Sequence, residues 1–288
     1  MMSALPKTSF DPDIIARRAL GVLHFVDAGT GASITDGLSV ITRVRNKTIP
    51  ATPSQRGVHV FHLLPGLNQV ALWDGESELD PVPKKYEFKI EVRDSSRRFF
   101  PFSFNTKLAN WPEAVPFCTD GTELSKKIPL YSVPWRIPRS DYAIIRGTLR
   151  VLTSENPAAW ALLRVFRKDD NEATAKPVVE GVAGSNGEFM LMFPWPKADP
   201  AVLNGPTAPV WTMKIFAWYD ESSALVLADT LPDGEDNLPE LCTILKQRKA
   251  KLLKAKDPLE ELPPQVMTPG QTLFLTESEE NILYIKTT

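Results

Sequence analysis

The sequence predicts a mostly β protein, two tandem antiparallel β-sandwiches followed by a short C-terminal helix and a hairpin. Three observations carry this expectation. Apolar and polar residues alternate with period two in many short runs, the pattern of half-buried strands. The order of those runs occurs twice. The 26 prolines are spread along the chain and outnumber the 15 glycines, as suits short strands joined by ordered loops.

In the first copy the runs are Gly21-Val-Leu-His-Phe-Val-Asp27, Leu38-Ser-Val-Ile-Thr-Arg-Val44, Val58-His-Val-Phe-His-Leu-Leu64 and Tyr86-Glu-Phe-Lys-Ile-Glu-Val-Arg-Asp94. In the second they are Gly147-Thr-Leu-Arg-Val-Leu152, Trp160-Ala-Leu-Leu-Arg-Val-Phe166, Gly187-Glu-Phe-Met-Leu-Met-Phe193 and Trp211-Thr-Met-Lys-Ile-Phe-Ala-Trp-Tyr-Asp220. Each third run is led by a glycine, Gly57 or Gly187, and each fourth run closes on aspartate. Short strands, turn residues between them and no helical period indicate Ig-like sandwiches. Two copies are too few for a solenoid, so the repeat reads as tandem domains.

These signals divide the chain into an N-terminal arm (1–16), sandwich 1 (17–104), a proline- and aromatic-rich strap (105–141), sandwich 2 (142–230) and a C-terminal helix plus hairpin (231–288). Pro112, Pro116, Pro129, Pro134 and Pro138 punctuate the strap, and Trp111, Phe117, Tyr131 and Trp135 make it too apolar for a free linker. It is expected to pack across both sandwiches in extended geometry. Asp236-Asn-Leu-Pro-Glu240 reads as a helix start, with a cap and proline in the first turn. A ragged stripe of Leu241, Ile244, Leu245, Leu252 and Leu253 predicts a basic helix over 238–256. Thr272–Thr276 and Asn281–Lys286 read as the hairpin.

Composition narrows the function classes. Basic and acidic residues balance at 33 to 35, which argues against a nucleic-acid binder. No run reaches the roughly 20 apolar residues of a membrane span, so no direct membrane insertion is expected. The N-terminus lacks the apolar core of a signal peptide, and cytoplasmic synthesis is the expectation. Cys118 and Cys242, the two cysteines, are expected as free thiols rather than a disulfide.

A search for chemistry yields little. His24, His59 and His62 are the whole imidazole supply. His59 and His62 are spaced i, i+3 on a strand and face opposite ways, so no metal site is expected. Gly184-Ser-Asn-Gly187 lacks the nucleophile-elbow pattern and reads as a turn. Gly29-Thr-Gly31 does not continue into a dinucleotide fingerprint. Asp169, Asp170 and Glu172, and Asp233, Glu235 and Asp236, read as solvated acidic loops rather than glycosidase or calcium sites. No catalytic residue, cofactor or metal is expected, and the chain is not read as an enzyme. The residues singled out for partner contact are Lys246, Arg248, Lys249, Lys251 and Lys254, on the basic segment, with Trp111 and Trp135 on the strap. Such charge orients docking on an acidic surface.

Gly147-x-Leu-x-Val151 and the Gly187-x-Phe-x-Leu191 strand after its Ser-Asn-Gly turn resemble the carboxypeptidase regulatory-like, transthyretin-like sandwich family over about 20–100 and 143–225. Further motifs span most of the chain: Asp36-Gly-Leu38, Gly57-Val-His-Val-Phe-His-x-Leu-Pro-Gly66, Asp94-x-x-x-Arg-Phe-Phe-Pro101, Ile128-Pro-Leu-x-Ser-x-Pro134, Asn156-Pro-Ala-Ala-Trp-Ala161, Phe193-Pro-Trp-Pro196 and Pro269-Gly-Gln-Thr-Leu-x-Leu275. These resemble proteins of phage-tail-like contractile injection systems. The resemblance implies a structural or adaptor component whose partners are sheath, cap or baseplate-type subunits, released with the assembled particle. The alternative is a glycan- or surface-ligand-binding module, which needs Trp73, Trp195 or Trp218 exposed on one face. On the structural reading, the C-terminal segment 236–288 is expected to be a main contact region, and a chain ending at Thr230 is expected to fold without it.

Overall fold

The computed structural model describes residues 21–44, 47–62, 64, 86–108, 127–138, 140–195, 210–221, 238–275 and 282–287. The N-terminal arm, Trp73, Trp111 and the acidic group Asp233, Glu235 and Asp236 lie outside them. The fold is mostly β, in two sandwiches, with one short helix among the described residues.

The first sandwich contains β1 (Gly21–Asp27), β2 (Leu38–Val44), β3 (Lys47–Pro50), β4 (Thr52–Pro53), β5 (Val58–Phe61), β6 (Tyr86–Asp94), β7 (Phe102–Leu108) and β8 (Ile128–Leu130). They form two four-stranded sheets, ordered β4-β5-β1-β8 and β3-β2-β6-β7. Alternation aims Leu23, Phe25 and Phe61 from one sheet at Val40, Ile90 and Phe104 from the other, all buried. The second unit contains β9 (Tyr142–Val151), β10 (Leu162–Arg167), β11 (Val179–Val182), β12 (Glu188–Pro194), β13 (Trp211–Trp218), α1 (Leu241–Leu245), β14 (Lys249–Ala255), β15 (Glu260–Glu261), β16 (Gln265–Met267), β17 (Thr272–Phe274) and β18 (Ile282–Lys286). Its strands form one ten-stranded sheet, ordered β11-β10-β13-β14-β18-β9-β12, with β15 on β14, β16 on β13 and β17 on β9. The sheet doubles over. Its two ends meet so closely that a Cβ on Gly181 would lie 2.1 Å from a Leu191 methyl.

The repeated strand order has a topological counterpart. The first run pairs antiparallel with the third (β1 with β5, β9 with β12), and the second with the fourth (β2 with β6, β10 with β13). Additional strands extend both copies alike. β8 lies parallel to β1, as β17 and β18 lie parallel to β9. β7 flanks β6, as β14 and β16 flank β13. The leading glycines match in conformation too. Gly57 has φ +74° and Gly187 φ +81°, and a Cβ there would meet the carbonyl oxygens of Ile34 at 2.8 Å and Leu149 at 2.3 Å. Only glycine fits both constraints.

The structure revises four expectations. First, the strap contributes to sandwich 1: β7 runs across the expected boundary at 104/105, and β8 supplies that sandwich's parallel edge. Burial of Tyr131 and Val133 explains why the segment is so apolar.

Second, the basic helix expected over 238–256 is only five residues long. It starts where the Glu240 carboxylate caps it, accepting from the Thr243 N–H at 2.6 Å. It stops where buried Gln247 turns inward to accept from the Leu162 N–H. Lys249–Ala255 is then a strand, despite its helix-forming composition, because pairing with β13 and β18 buries Ala250 and Leu252 on alternate positions. Tertiary burial overrides local propensity here.

Third, the expected hairpin does not form. β17 and β18 lie one after the other along the same edge of β9, both parallel to it. The C-terminal region is therefore part of the second sandwich, with Leu252, Met267, Leu275, Leu283 and Ile285 in its core. A chain ending at Thr230 would lack all five.

Fourth, Cys242 is disulfide-bonded, contrary to the free thiol expected. The chain's other cysteine, Cys118, lies outside the described residues.

The two sandwiches share apolar packing. Leu162 and Val182 of the second, with Leu241, Cys242 and Ile244 around α1, join the first core. Phe100 meets Trp160 edge-on at 5.7 Å between ring centroids. Segment 238–240 caps the edge of β7, where Ser103 donates its N–H to the Pro239 carbonyl at 2.9 Å and its hydroxyl to the Leu238 carbonyl at 3.1 Å.

Candidate functional site

Several sequence motifs turn out to hold the scaffold together. Asp94 accepts the Arg98 backbone N–H at 2.7 Å and its guanidinium at 3.0 Å, while Arg98 also donates to the Asp36 carbonyl at 2.8 Å. This ties the Asp36-Gly-Leu38 turn to the β6 exit. Burial alone would raise the Asp94 pKa, but the Arg98 hydrogen bonds and charge hold it below its ordinary value. Nearby, Arg136 pairs with buried Asp27 at 2.9 Å and lies 4.7 Å from the centroid of the Phe99 ring. That contact staples the chain after β8 to the end of β1.

The histidines are dispersed. His24 shares a 2.8 Å hydrogen bond with the Ser33 hydroxyl. His59 is buried edge-on against Phe25, and burial lowers its pKa. Asp170 accepts the Arg167 N–H and Asn171 caps the Ala173 N–H, so both stabilise their own turn. Among the described residues no three His, Cys, Asp or Glu side chains are placed to hold a metal ion.

The partner-contact residues separate into two places. Trp135 stands on the sandwich 1 surface, 63% exposed, beside Ile137 at 88%. The basic residues follow α1 and β14, and much of their charge is met by the chain's own acids. Lys249 pairs with Glu172, Lys251 with Glu261 at 3.2 Å and Lys254 with Glu260 at 3.0 Å. Lys246 and Arg248 are exposed at the turn into the strand. The segment is thus not a free cationic face, because the sheet brings β15 and the 169–172 turn alongside it.

Lys249 and Lys251 do line a cleft. β13 pairs with β14 only at Ala217 and Trp218, and with β16 at Trp211–Met213. Between these, Ile215 belongs to no ladder pair on that side among the described residues. The Leu252 carbonyl, its would-be partner, accepts from the Leu262 N–H at 3.0 Å. Two adjoining cavities of about 470 and 370 Å³ open there, sharing Ile215, Phe216 and Leu262 as walls. Lys214, Asp170, Asn171, Glu172 and Pro264 complete the larger; Lys249, Lys251, Ala250, Leu252 and Glu261 complete the smaller. The Lys249 ammonium sits 4.2 Å from the Phe216 ring centroid, a cation–π contact. The floor of Ile215, Phe216 and Leu262 is apolar, the walls carry charges of both signs, and the volume is that of a ligand cleft. Alternation along β13 placed Lys214 and Phe216 on one face. The strands that enclose them were hidden by the helical reading of 238–256.

Of the tryptophans named for a glycan platform, Trp195 and Trp218 do not share a face. Trp218 projects from β13 away from the second core, with Arg164 4.5 Å from its ring centroid. Trp195 packs on Trp211 at the edge of that core, with centroids 5.2 Å apart and planes inclined by 32°.

No family model matches the chain, and no curated protein does. Among solved structures it is similar to the Bacillus anthracis TIE protein, with 11% identity, TM-score 0.24, and coverage of 69% of this chain and 31% of that one. It is also similar to a streptococcal ancillary pilin, with 7% identity, TM-score 0.21, and coverage of 92% and 61%. A DUF3823 family protein from Bacteroides ovatus shows 8% identity, TM-score 0.20, and coverage of 70% and 91%. The chain spans about a third of the first and three-fifths of the second. At these TM-scores the likenesses carry no functional argument.

Proposed function

We propose that this chain is a non-catalytic structural adaptor of a phage-tail-like contractile particle, acting through protein–protein contacts with sheath, cap or baseplate-type subunits. The observation that carries the adaptor reading is the shared core. Two sandwiches locked by Phe100, Trp160, Leu162 and Val182 form one stiff body, suited to holding partners at a fixed spacing. The particle assignment rests on the sequence resemblance. Several residues of that resemblance, Asp36, Arg98, Gly57 and Ile128–Pro134, serve the scaffold, as befits a structural component. Synthesis in the cytoplasm followed by release in the particle belongs to the same proposal. The Cys242 disulfide is compatible with such release, since disulfides persist outside reducing compartments.

The test is co-purification of the tagged full chain from its native cells, with mass spectrometry of what accompanies it. Sheath, cap or baseplate-type subunits in fixed ratio are the expected outcome. Their absence overturns the particle assignment. A second reading, surface-glycan binding, is favoured by the half-exposed Trp195–Trp211 pair alone. A glycan array on wild type and Trp195→Ala tests it, and binding lost in the variant would support it.

A further inference from the structure

Lys214 stands apart from the other lysines of the cleft. It is half-buried and forms no ion pair among the described residues, whereas Lys249 and Lys251 face Glu172 and Glu261. Asp170, on the same cavity wall, gives one carboxylate oxygen to the Arg167 N–H. The lining beside Lys214 combines apolar Ile215, Phe216, Leu262 and Pro264 with Asn171 and with Asp170 and Glu172, whose carboxylates are engaged by the Arg167 N–H and by Lys249. A partly desolvated ammonium beside an apolar floor favours an anion that brings apolar surface with it. The cleft is also elongated, because the two cavities share walls and follow the interruption between β13 and β14. By strand alternation the Ile215 backbone faces that interruption, as Ala217 and Tyr219 face β14. An extended segment fits such a place, with successive side chains entering different pockets.

We propose that this cleft docks a partner's extended peptide segment, with a bulky aliphatic side chain against Phe216 and Leu262 and a neighbouring side-chain carboxylate on Lys214. The proposal deepens the adaptor reading and rests on it.

Methyl NMR on the full chain tests it with two probes, acetyl-Leu-Glu-Leu-amide and acetyl-Leu-Gln-Leu-amide. The Glu peptide is expected to shift the Ile215, Leu252 and Leu262 methyl signals saturably, and the Gln peptide to bind about tenfold more weakly. Lys214→Gln should erase that difference, and Lys214→Glu should transfer the preference to acetyl-Leu-Lys-Leu-amide. Absence of saturable shifts, or equal binding of both probes to wild type, overturns the proposal. Co-purification of Lys214→Glu from native cells separates the two ideas. Loss of the partner subunits supports the cleft as their dock. Retention sinks the cleft proposal and leaves the adaptor reading standing, whereas wild type without partners removes that reading itself.

Discussion

A Cβ on Gly29, in the turn after β1, would lie 2.0 Å from the carbonyl oxygen of Met192 on β12. The two backbones belong to different sandwiches and touch with no room for a side chain. Gly29→Ala must therefore push the sandwiches apart or distort the turn, in which Asp27 accepts the Gly29 N–H at 2.8 Å. The expected cost is about 1–3 kcal/mol, the range for overpacking a close contact. Chemical denaturation of wild type and variant measures it, and an unchanged midpoint would refute the tight interface.

Removing the C-terminal strands should be far more damaging. A chain ending at Thr230 lacks β14 and β18, which stand between β13 and β9 in the sheet order. Leu149, Val151 and Ile215 would lose the cover of Leu252, Leu283 and Ile285. The truncated protein is expected to bind a hydrophobic dye and to lack a single cooperative melt. A wild-type-like melt would show that these strands are an appendage.

Stability of the first sandwich should fall with acidification in two steps of the same sign. His59 has a lowered folded pKa, so the unfolded chain binds its proton first and stability declines as pH drops below the ordinary 6.5. Asp94 is also lowered, so its contribution is complete above the ordinary 3.8 and is lost as pH falls through its folded value. Asp94→Asn should cost about 1–3 kcal/mol at neutral pH, because Arg98 keeps only weakened partners. The gap between variant and wild type should close as pH falls below the ordinary 3.8 and through the lowered folded value. Denaturant midpoints across pH read this directly, and a gap independent of pH would contradict the ion pair.

Tyr131 offers an opposite sign. Its side chain is fully buried, burial pushes the phenol pKa well above ordinary, and its hydroxyl has no hydrogen-bond partner among the described residues. Tyr131→Phe keeps the ring on Phe102 and removes a desolvated polar group, so it should be neutral or stabilising by up to about 1 kcal/mol. A loss above that size in a thermal melt would mean the hydroxyl is satisfied.

The Cys242 disulfide should matter in the purified protein. Cys242→Ala is expected to cost about 2–4 kcal/mol under non-reducing conditions and little under reducing ones. Thiol alkylation of the unfolded, unreduced wild type should find no free cysteine. Two alkylated thiols would contradict the bond.

Much of the fold was written in local patterns. Period-two alternation marked β1, β2, β5, β6, β9, β10, β12 and β13, because a strand with one face on a core must alternate whatever its partners are. Gly57 and Gly187 were legible as the glycines leading each third run, and their left-handed backbone leaves glycine little competition there. The charge of Lys246–Lys256 was legible too, but its conformation and its partners were not. Lysine, alanine and leucine favour a helix locally, and only β13 and β18, brought in from distant sequence, make Lys249–Ala255 a strand. The same long-range pairing set Glu172 and Glu261 against Lys249 and Lys251 and enclosed Lys214 and Phe216 in a cleft. Sequence by itself therefore determined those alternating strands and the glycines that lead the third run of each copy, which depend on residues close in the chain, and the repeat of their order. Tertiary structure decided which strands neighbour which, which charges are neutralised and where the cleft opens, because each joins residues tens of positions apart.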